Sequence, residues 1–328
     1  MLANSPEISI IIPAYNAQLY LAECLSSVVS QSFSDWELII ADDGSSDKTG
    51  EIADRYAEKD SRIKVIHSIN RGVSASRNAC IDIAQGRYLS FVDADDILEP
   101  DYLNELIGYA KKYDADITQC SFSFINNEGE KKEDTYAKDS VFRSRDEIIK
   151  AYFNGPVGDI RVSVWAKLFK RGSFRDIRFD TGLRVYEDAY YVYECCRKAV
   201  TVCSFSSALY NYRQHEGSAM SLRLPEIYPD YFTVFEKQRN DYRDEGGIRK
   251  SIIRREVENA FWLIRIMLSE GKEQEIWNIR KAALKLAGPL YFSSLPILLK
   301  FKMTGIAVMP HIYFALLRKR IFADNEKV

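Results

Sequence analysis

Two rhythms of apolar residues alternate along the first 120 or so positions. Four short unbroken runs come first: Glu7–Pro13 (EISIIIP), Trp36–Ala41 (WELIIA), Arg62–His67 (RIKVIH) and Arg87–Val92 (RYLSFV). Their length and aliphatic content predict strands buried on both faces of a sheet. Between them the apolar positions recur at helical spacing. Leu21, Leu25, Val28 and Val29 line one face together with Cys24, and a second helix begins at about Asp47, with Ile52, Ala53, Tyr56 and Ala57 on one side. Val73–Gln85 suits a third helix, closed by Gly86 in the C-terminal position that favours glycine. Pro100 opens a fourth helix that runs to about Lys112, and Ala115–Cys120 is a further strand. Strands that alternate with helices predict an α/β fold, a mostly parallel central sheet with helices on both faces.

Beyond about residue 121 the pattern loosens. Asn126–Ser140 is polar and charged and reads as a loop or hairpin. Trp165–Arg171 (WAKLFKR) and Phe179–Leu183 bracket a turn-rich stretch, and Tyr186–Lys198 reads as a helix that begins near Glu187-Asp188. From Pro225 onward nearly everything reads as helix, which predicts a C-terminal helical extension at 221–328 behind a domain at 1–220. Ligands of open α/β sheets bind outside the carboxyl ends of the strands. Here the first strand ends at Pro13-Ala14-Tyr15-Asn16, the second at Asp42-Asp43 and the fourth at Asp93-Ala94-Asp95-Asp96, so one sheet edge gathers an aromatic ring and several carboxylates.

Composition narrows the function classes. With 46% hydrophobic and 28% charged residues in 328, a folded core is expected. A formal charge of −2 argues against a nucleic-acid partner, which calls for a basic excess. The six cysteines form no Cys-x-x-Cys pair and are too sparse for a disulfide scaffold, so a reducing cytoplasm fits. The opening MLANSPE lacks the basic and apolar regions of a signal peptide, and no apolar run is long enough for a membrane span.

Several chemistries drop out. No G-x-G-x-x-G follows the first strand, and Asp47 stands where a phosphate loop needs the glycine before Lys48. Three histidines make a multi-histidine zinc site unsuitable. The acidic cluster at the fourth strand end is the sharpest signal. Crowded carboxylates repel unless a cation sits among them, and hard oxygen donors suit Mg²⁺ or Mn²⁺. The plainer alternative is that Asp95 or Asp96 caps the next helix. Asp42-Asp43-Gly44-Ser45 is good turn chemistry, or else Asp42 accepts a hydrogen bond from a nucleobase N–H with Tyr15 nearby. Arg71–Asn78 (RGVSASRN) sets two arginines at a loop-to-helix junction, suited to an anion or simply facing solvent.

These segments taken in order resemble the motif set of family 2 glycosyltransferases with the GT-A fold. They are ISIIIPAYN at Ile8–Asn16, DDGSSD at Asp42–Asp47, RGVSASRN at Arg71–Asn78 and FVDADD at Phe91–Asp96. WAKLFKR, Glu187-Asp188 and Tyr210-x-Tyr212-Arg213-Gln214-x-x-Gly217-Ser218 resemble that family's acceptor-side elements. The resemblance covers roughly residues 7–220, with a nucleotide-sugar half at about 1–120 and an acceptor-side half at about 121–220. It implies a nucleotide-sugar site lined by Pro13, Ala14, Tyr15 and Asn16, with Asp42 and Asp43 at the base. Arg77 would lie near the diphosphate or base. Asp93 would contact the ribose or the metal, Ala94 would belong to the same nucleotide-sugar site, and Asp96 would touch donor-sugar hydroxyls. Asp95, with Asp93, would hold Mn²⁺ or Mg²⁺. Asp188 is the implied general base, with Trp165, Lys167, Glu187, Arg213 and Gln214 on the acceptor or diphosphate side. The implied reaction is inverting transfer from a nucleoside diphosphate sugar, UDP by resemblance, to a saccharide or lipid-linked acceptor of cell-surface polysaccharide assembly. A sugar nucleotidyltransferase and a non-catalytic nucleotide-sugar binder on the same fold are the alternatives. The former normally opens with a glycine-rich basic loop where Pro13–Asn16 stands, and the latter would have lost Asp95 or Asp188. Read alone, Glu187-Asp188 is an acidic helix start and Tyr210–Arg213 an edge strand. The family often has Asn where Ala166 stands, and His215 occupies a variable position.

The tail departs from the overall balance of charge. Pro296–Phe322 contains Lys300, Lys302, Arg318, Lys319 and Arg320 and no acid. Apolar residues flanked by cations suit an interfacial helix pair on an anionic membrane, which would place the chain on the inner face of the cell membrane. A helical hairpin packed on the domain or on a second subunit in an oligomer is the alternative.

Overall fold

The consecutive Ile and Leu positions become the inner strands of a ten-stranded sheet. The computed structural model describes residues 5–127, 129–134, 138–154, 159–215, 224–286 and 295–325. In the first half, β1 (Ile8–Ala14), β2 (Trp36–Asp42), β3 (Ile63–His67), β4 (Tyr88–Phe91) and β5 (Ile97–Leu98) alternate with α1 (Leu21–Val29), α2 (Thr49–Ala57) and α3 (Val73–Ile83). Then follow α4 (Tyr102–Tyr113), β6 (Ile117–Ile125), β7 (Lys131–Asp134), β8 (Ser140–Phe142), α5 (Arg145–Phe153), β9 (Lys167–Lys170), α6 (Glu187–Lys198) and β10 (Val202–Arg213).

The main path through the sheet is β3-β2-β1-β4-β9-β6-β10-β5, with β7 on β6 and β8 on β10. Strands β3, β2, β1 and β4 are mutually parallel, and β9 runs antiparallel between β4 and β6. Strand β10 is parallel to β6, and β5 is antiparallel to β10. Six of the eight strands on the path therefore share one direction, as the alternating pattern predicts.

Alternation along β1 assigns its two faces. Ile8, Ile10 and Ile12 join one buried cluster with Leu21, Cys24, Leu25 and Val28 of α1, Ile52 and Ala53 of α2, and Leu103, Leu106, Ile107 and Ala110 of α4. Ile11 faces the other way, and α3 packs on β1 and β2. Each fully buried aliphatic side chain contributes roughly 1.5–3 kcal/mol.

Three expectations need correction. Helix α3 ends at Ile83, and Gly86 has no positive φ, so it is not a left-handed helix terminator. Its role is close approach, because a Cβ there would lie 2.4 Å from the Ser9 nitrogen. Strand β6 runs to Ile125, five residues beyond the expected Cys120, because Phe122 and Phe124 continue on alternate positions. Strand β10 is flanked by β6 and β5, so Tyr210–Arg213 is not at the sheet edge. The expected hairpin after Asn126 is β6–β7, with Ile125 opposite Lys131.

The chain divides into two compact units, Met1–Tyr152 with Asp159–Ser218, and Phe153–Gly158 with Ala219–Val328. A boundary at 220 falls within 216–223, outside the described residues. The second unit holds α7 (Leu224–Asp241), α8 (Gly246–Ser269), α9 (Glu273–Leu286), α10 (Ile297–Val308) and α11 (Pro310–Asn325). Tyr231, Tyr242, Ile252, Val257, Leu263, Ile264, Met267, Ile279 and Ala283 are buried there. No helix among the described residues is long and apolar enough to cross a membrane. All six cysteines are buried free thiols.

Candidate active site

The loops after β1 and β2 are laced together. Asn16 takes a left-handed conformation (φ 48°), for which Asn is well suited. Its side-chain oxygen accepts the Ser46 N–H at 2.9 Å, and its own N–H donates to Ser45 Oγ at 3.0 Å. Asp42 accepts the Ser45 N–H through Oδ1 at 3.1 Å, while Oδ2 lies 3.0 Å from His67 Nδ1. Hydrogen bonds from the His67 ring to the Asp42 and Asp54 carboxylates raise the His67 pKa. Asp43 receives the Arg71 and Gly72 N–H groups at 2.9 and 2.8 Å. The turn reading of Asp42-Asp43 is thus realised: both carboxylates shape loops, and both are buried. Gly44 is needed on two counts, a φ of +74° and an approach that would put a Cβ 2.7 Å from the Asn70 nitrogen. Above this scaffold Tyr15 is 53% exposed, next to half-buried Pro13 and buried Ala14.

At the end of β4 the acidic residues point in different directions. Helix α4 starts only at Tyr102, with β5 intervening, so neither Asp95 nor Asp96 caps it. Asp96 is fully buried; it accepts the Tyr210 O–H on one oxygen and the Arg213 N–H on the other at 2.8 Å. Sequence assigns Asp96 to sugar hydroxyls, whereas the fold commits it to β10. Asp93 and Asp95 stay partly open, each with 30% of its side chain exposed. Asp93 accepts Arg77 Nη2 at 3.0 Å, and Arg77 Nη1 donates to Glu187 at 2.9 Å. Buried Arg77 therefore bridges the β4 end to the start of α6. Burial pushes the Asp93 carboxyl upward, helped by Asp95 and Glu187 and opposed by Arg77. Ala94, between the two open acids, is buried.

His215 Nε2 lies 2.9 Å from Asp95 Oδ2, and its ring is 4.7 Å from that of Tyr20. The buried Arg213 side chain donates to the Asp95 carbonyl at 2.9 Å and to Glu23 at 2.6 Å. Gln214 is exposed, its backbone N–H held by the Ile125 carbonyl at 2.8 Å. Gly217 and Ser218 lie outside the described residues.

Asp188 sits at the first turn of α6, partly exposed. Burial, then the Glu187 charge, pushes its carboxyl up to about 7 against the pull of Arg77 and the Ala189 N–H. The residue before the helix, Tyr186, has a φ of 61°, a costly conformation for an aromatic residue. The acidic helix start predicted from sequence is present, but with one acid paired to Arg77 and the other held close to neutrality.

Trp165 stacks on Tyr210 and Tyr212 at 5.0 and 5.2 Å and meets Phe122 edge-on at 4.8 Å. Ala166 is left-handed (φ 55°), a conformation that Asn accepts more readily than Ala. Lys167, expected on the acceptor or diphosphate side, is 1% exposed and donates to the Ser163 carbonyl at 2.7 Å. Burial lowers its pKa to about 7. The structure thus gathers Arg77, Asp93, Asp95, Glu187, Asp188, Arg213 and His215 in one network, whereas Asp96 and Lys167 turn inward. Sequence assigned no role to Tyr20 or Glu23, and it named Tyr210 and Tyr212 only as part of the acceptor-side motif. The carboxylates Asp96, Asp93, Asp95 and Asp188 all help to raise the pKa of half-buried Tyr212, which follows burial as the main cause.

Six carboxylates (Glu23, Asp93, Asp95, Asp96, Glu187 and Asp188) share this region with two guanidiniums and one imidazole, and the two open acids Asp93 and Asp95 offer hard oxygens, so the donor set fits a divalent cation. Among the described residues no group of three or more His, Cys, Asp or Glu side chains is arranged to hold a metal. A cation at Asp93 and Asp95 would therefore need further ligands from a substrate and water.

Comparisons with known proteins agree with this architecture. The putative glycosyltransferase EpsH of Bacillus subtilis is 26% identical over 303 residues, covering 89% of this chain and 86% of its own. The poly(ribitol-phosphate) beta-glucosyltransferase of Bacillus spizizenii is 30% identical over 223 residues, covering 66% of this chain. The chain spans only 34% of that relative's length. The S. aureus TarS 1-349 structure in complex with UDP-GlcNAc superposes with a TM-score of 0.74 at 19% identity, covering 95% of this chain and 90% of that one, and so shares the GT-A fold. The family profile described as glycosyl transferase family 2 matches residues 9–178, more than half the sequence, and the chain belongs to that family.

Proposed function

We propose that the chain transfers a sugar from a nucleoside diphosphate sugar, with inversion, to a hydroxyl of a saccharide or lipid-linked acceptor in the assembly of a bacterial cell-surface polymer. The observation that carries the reading is Asp188. It is a partly exposed carboxyl held near neutrality and joined through Glu187 and Arg77 to the open acid Asp93. A base with a pKa near the working pH accepts a proton efficiently. A single displacement needs one such base opposite the leaving group. The UDP-GlcNAc complex of TarS supports a UDP-sugar donor, and the beta-glucosyltransferase relative supports inversion and a polymer acceptor.

On this reading exposed Tyr15 packs against the base above the Asp42–Ser45 turn. Asp93 and Asp95 would hold Mg²⁺ or Mn²⁺, which when bound neutralises charge that develops on the departing diphosphate. Arg77 keeps Glu187 and Asp93 in register, so the proton acceptor and the donor end share one rigid support. Glu187 raises the proton affinity of Asp188. Trp165 and Tyr212 present aromatic surface suited to the apolar face of an acceptor sugar. The test is Asp188→Asn with a panel of nucleotide sugars. Nucleotide release falls by about a hundredfold or more while donor-induced thermal shifts persist. Unchanged release would remove Asp188 as the base.

A further inference from the structure

Helices α10 and α11 of the second unit are already seated by their inner faces. Leu299, Met303 and Ile306 of α10 and Phe314 of α11 are buried. Arg280 of α9 donates to the Ile306 carbonyl at 2.6 Å and to that of Ala307 at 3.3 Å, which closes the end of α10. Trp277 of α9 meets Phe314 edge-on at 5.8 Å. Yet each helix also carries a second apolar stripe on its outer face. On α10 it comprises Ile297, Leu298, Phe301 and Val308; Met309 follows at the joint, and Ile312 and Leu316 continue it on α11. These seven residues are between 54% and 75% exposed, with Ile297 at 75% and Phe301 at 71%. The described residues of the unit leave this second stripe uncovered, and contiguous exposed apolar surface marks an interaction site.

The charges beside the stripe select the partner. Between positions 297 and 319 the ionisable groups are Lys300, Lys302, His311, Tyr313, Arg318 and Lys319, without one acid. Lys302 lies over the Phe261 ring at 5.6 Å, and Arg318 reaches Glu273 of α9 at 3.1 Å. Lys319 is exposed. A two-fold interface centred on this stripe would bring these cations near their own images, with no carboxylate between 297 and 319 to pair with them. A layer of anionic headgroups over acyl chains answers both features, since it takes the apolar side chains and neutralises the lysines.

We infer that the outer faces of α10 and α11 form a docking surface for an anionic phospholipid bilayer. The chain lies on the membrane through this surface and does not cross it. This surface belongs to the helical unit and holds whether or not Asp188 is a catalytic base.

The experiment is flotation of the full chain with phosphatidylcholine vesicles and with vesicles containing about 30% phosphatidylglycerol. Wild type floats with the anionic vesicles at least about tenfold better than with the neutral ones, and about 0.5 M salt weakens the binding. Phe301→Glu with Leu316→Glu abolishes flotation; both side chains are exposed, so circular dichroism and the thermal shift with nucleotide sugar stay as in wild type. Equal flotation of this variant and wild type overturns the proposal, as does absence of wild-type flotation with every vesicle. A concentration-dependent dimer in size exclusion that the same substitutions dissolve, without vesicle binding, would assign the stripe to a second copy instead.

Discussion

Burial and the neighbouring Glu187 charge push the Asp188 carboxyl up to about 7, and this has consequences for folding as well as for chemistry. In the unfolded chain the same carboxyl loses its proton near the ordinary carboxylate value. Between those two values the folded chain holds a proton that the unfolded chain has released, so stability falls as pH rises across the window. Asp188→Asn therefore melts above wild type at about pH 8, and the gap narrows as pH falls toward about 4. Turnover has the opposite dependence, because the base acts only when ionised. With wild type, kcat/KM drops about tenfold per unit below an apparent pKa near 7, and a flat profile across that range would exclude this assignment. At this scale the sequence made the residue types legible but not their orientation. Asp93, Asp95 and Asp96 are adjacent in the chain, and only the pairing of β5 with β10, more than a hundred residues later, turns Asp96 inward onto Tyr210 and Arg213. Lys167 was placed on the acceptor side by its motif, and nothing local signals that its ammonium closes back on Ser163.

The elements were easier to read because periodicity reports burial directly. Four apolar runs and the helices between them sit within a few residues of where the pattern puts them. Errors arose where a residue has two possible reasons to be present. Gly86 follows a helix, so a left-handed terminator was the natural reading, yet its backbone lies against β1 without the conformation that only glycine enjoys. Gly86→Ala tests the difference. A terminator with ordinary φ would accept alanine at little cost, whereas a Cβ 2.4 Å from the Ser9 nitrogen forces β1 and the β4 entry apart. The expected loss is about 2 kcal/mol or more in urea unfolding, with a loss below about 0.5 kcal/mol refuting close approach as the reason. Tyr210–Arg213 misread as an edge for a related reason: its polar and aromatic alternation is common at edges, and its partner β5 is only two residues long.

At the scale of the whole molecule, a net charge of −2 conceals strong local imbalance. The first unit concentrates acids at one strand end, and the second carries an acid-free stretch from 296 to 322. A cation at Asp93 and Asp95 should therefore bind together with the diphosphate that completes its ligands. UDP with Mn²⁺ is expected to raise the melting temperature by several degrees more than UDP alone, an excess that EDTA removes and Asp95→Asn reduces. Identical shifts with and without the ion would take the cation out of the site. The two imbalances were visible as composition, but their use was not, since composition does not say which carboxylates remain open.

Strand β9 runs antiparallel to both of its neighbours, β4 and β6, with Tyr88 opposite Lys170 and Gln119 opposite Lys167. Its entry therefore lies at the edge where its neighbours exit, which is how Trp165 arrives beside Tyr210 and Tyr212. The parallel strands present their groups from loops that also anchor the next helix, and each such loop is constrained from both sides. The lead-in to β9 is held from β6 instead: Ile160 and Val164 are buried, and the Gln119 side chain donates to the Asp159 carbonyl at 2.7 Å and accepts the Arg161 N–H at 3.1 Å. On the proposed reading the aromatic acceptor surface at Trp165 is thus braced separately from the loops that shape the nucleotide end.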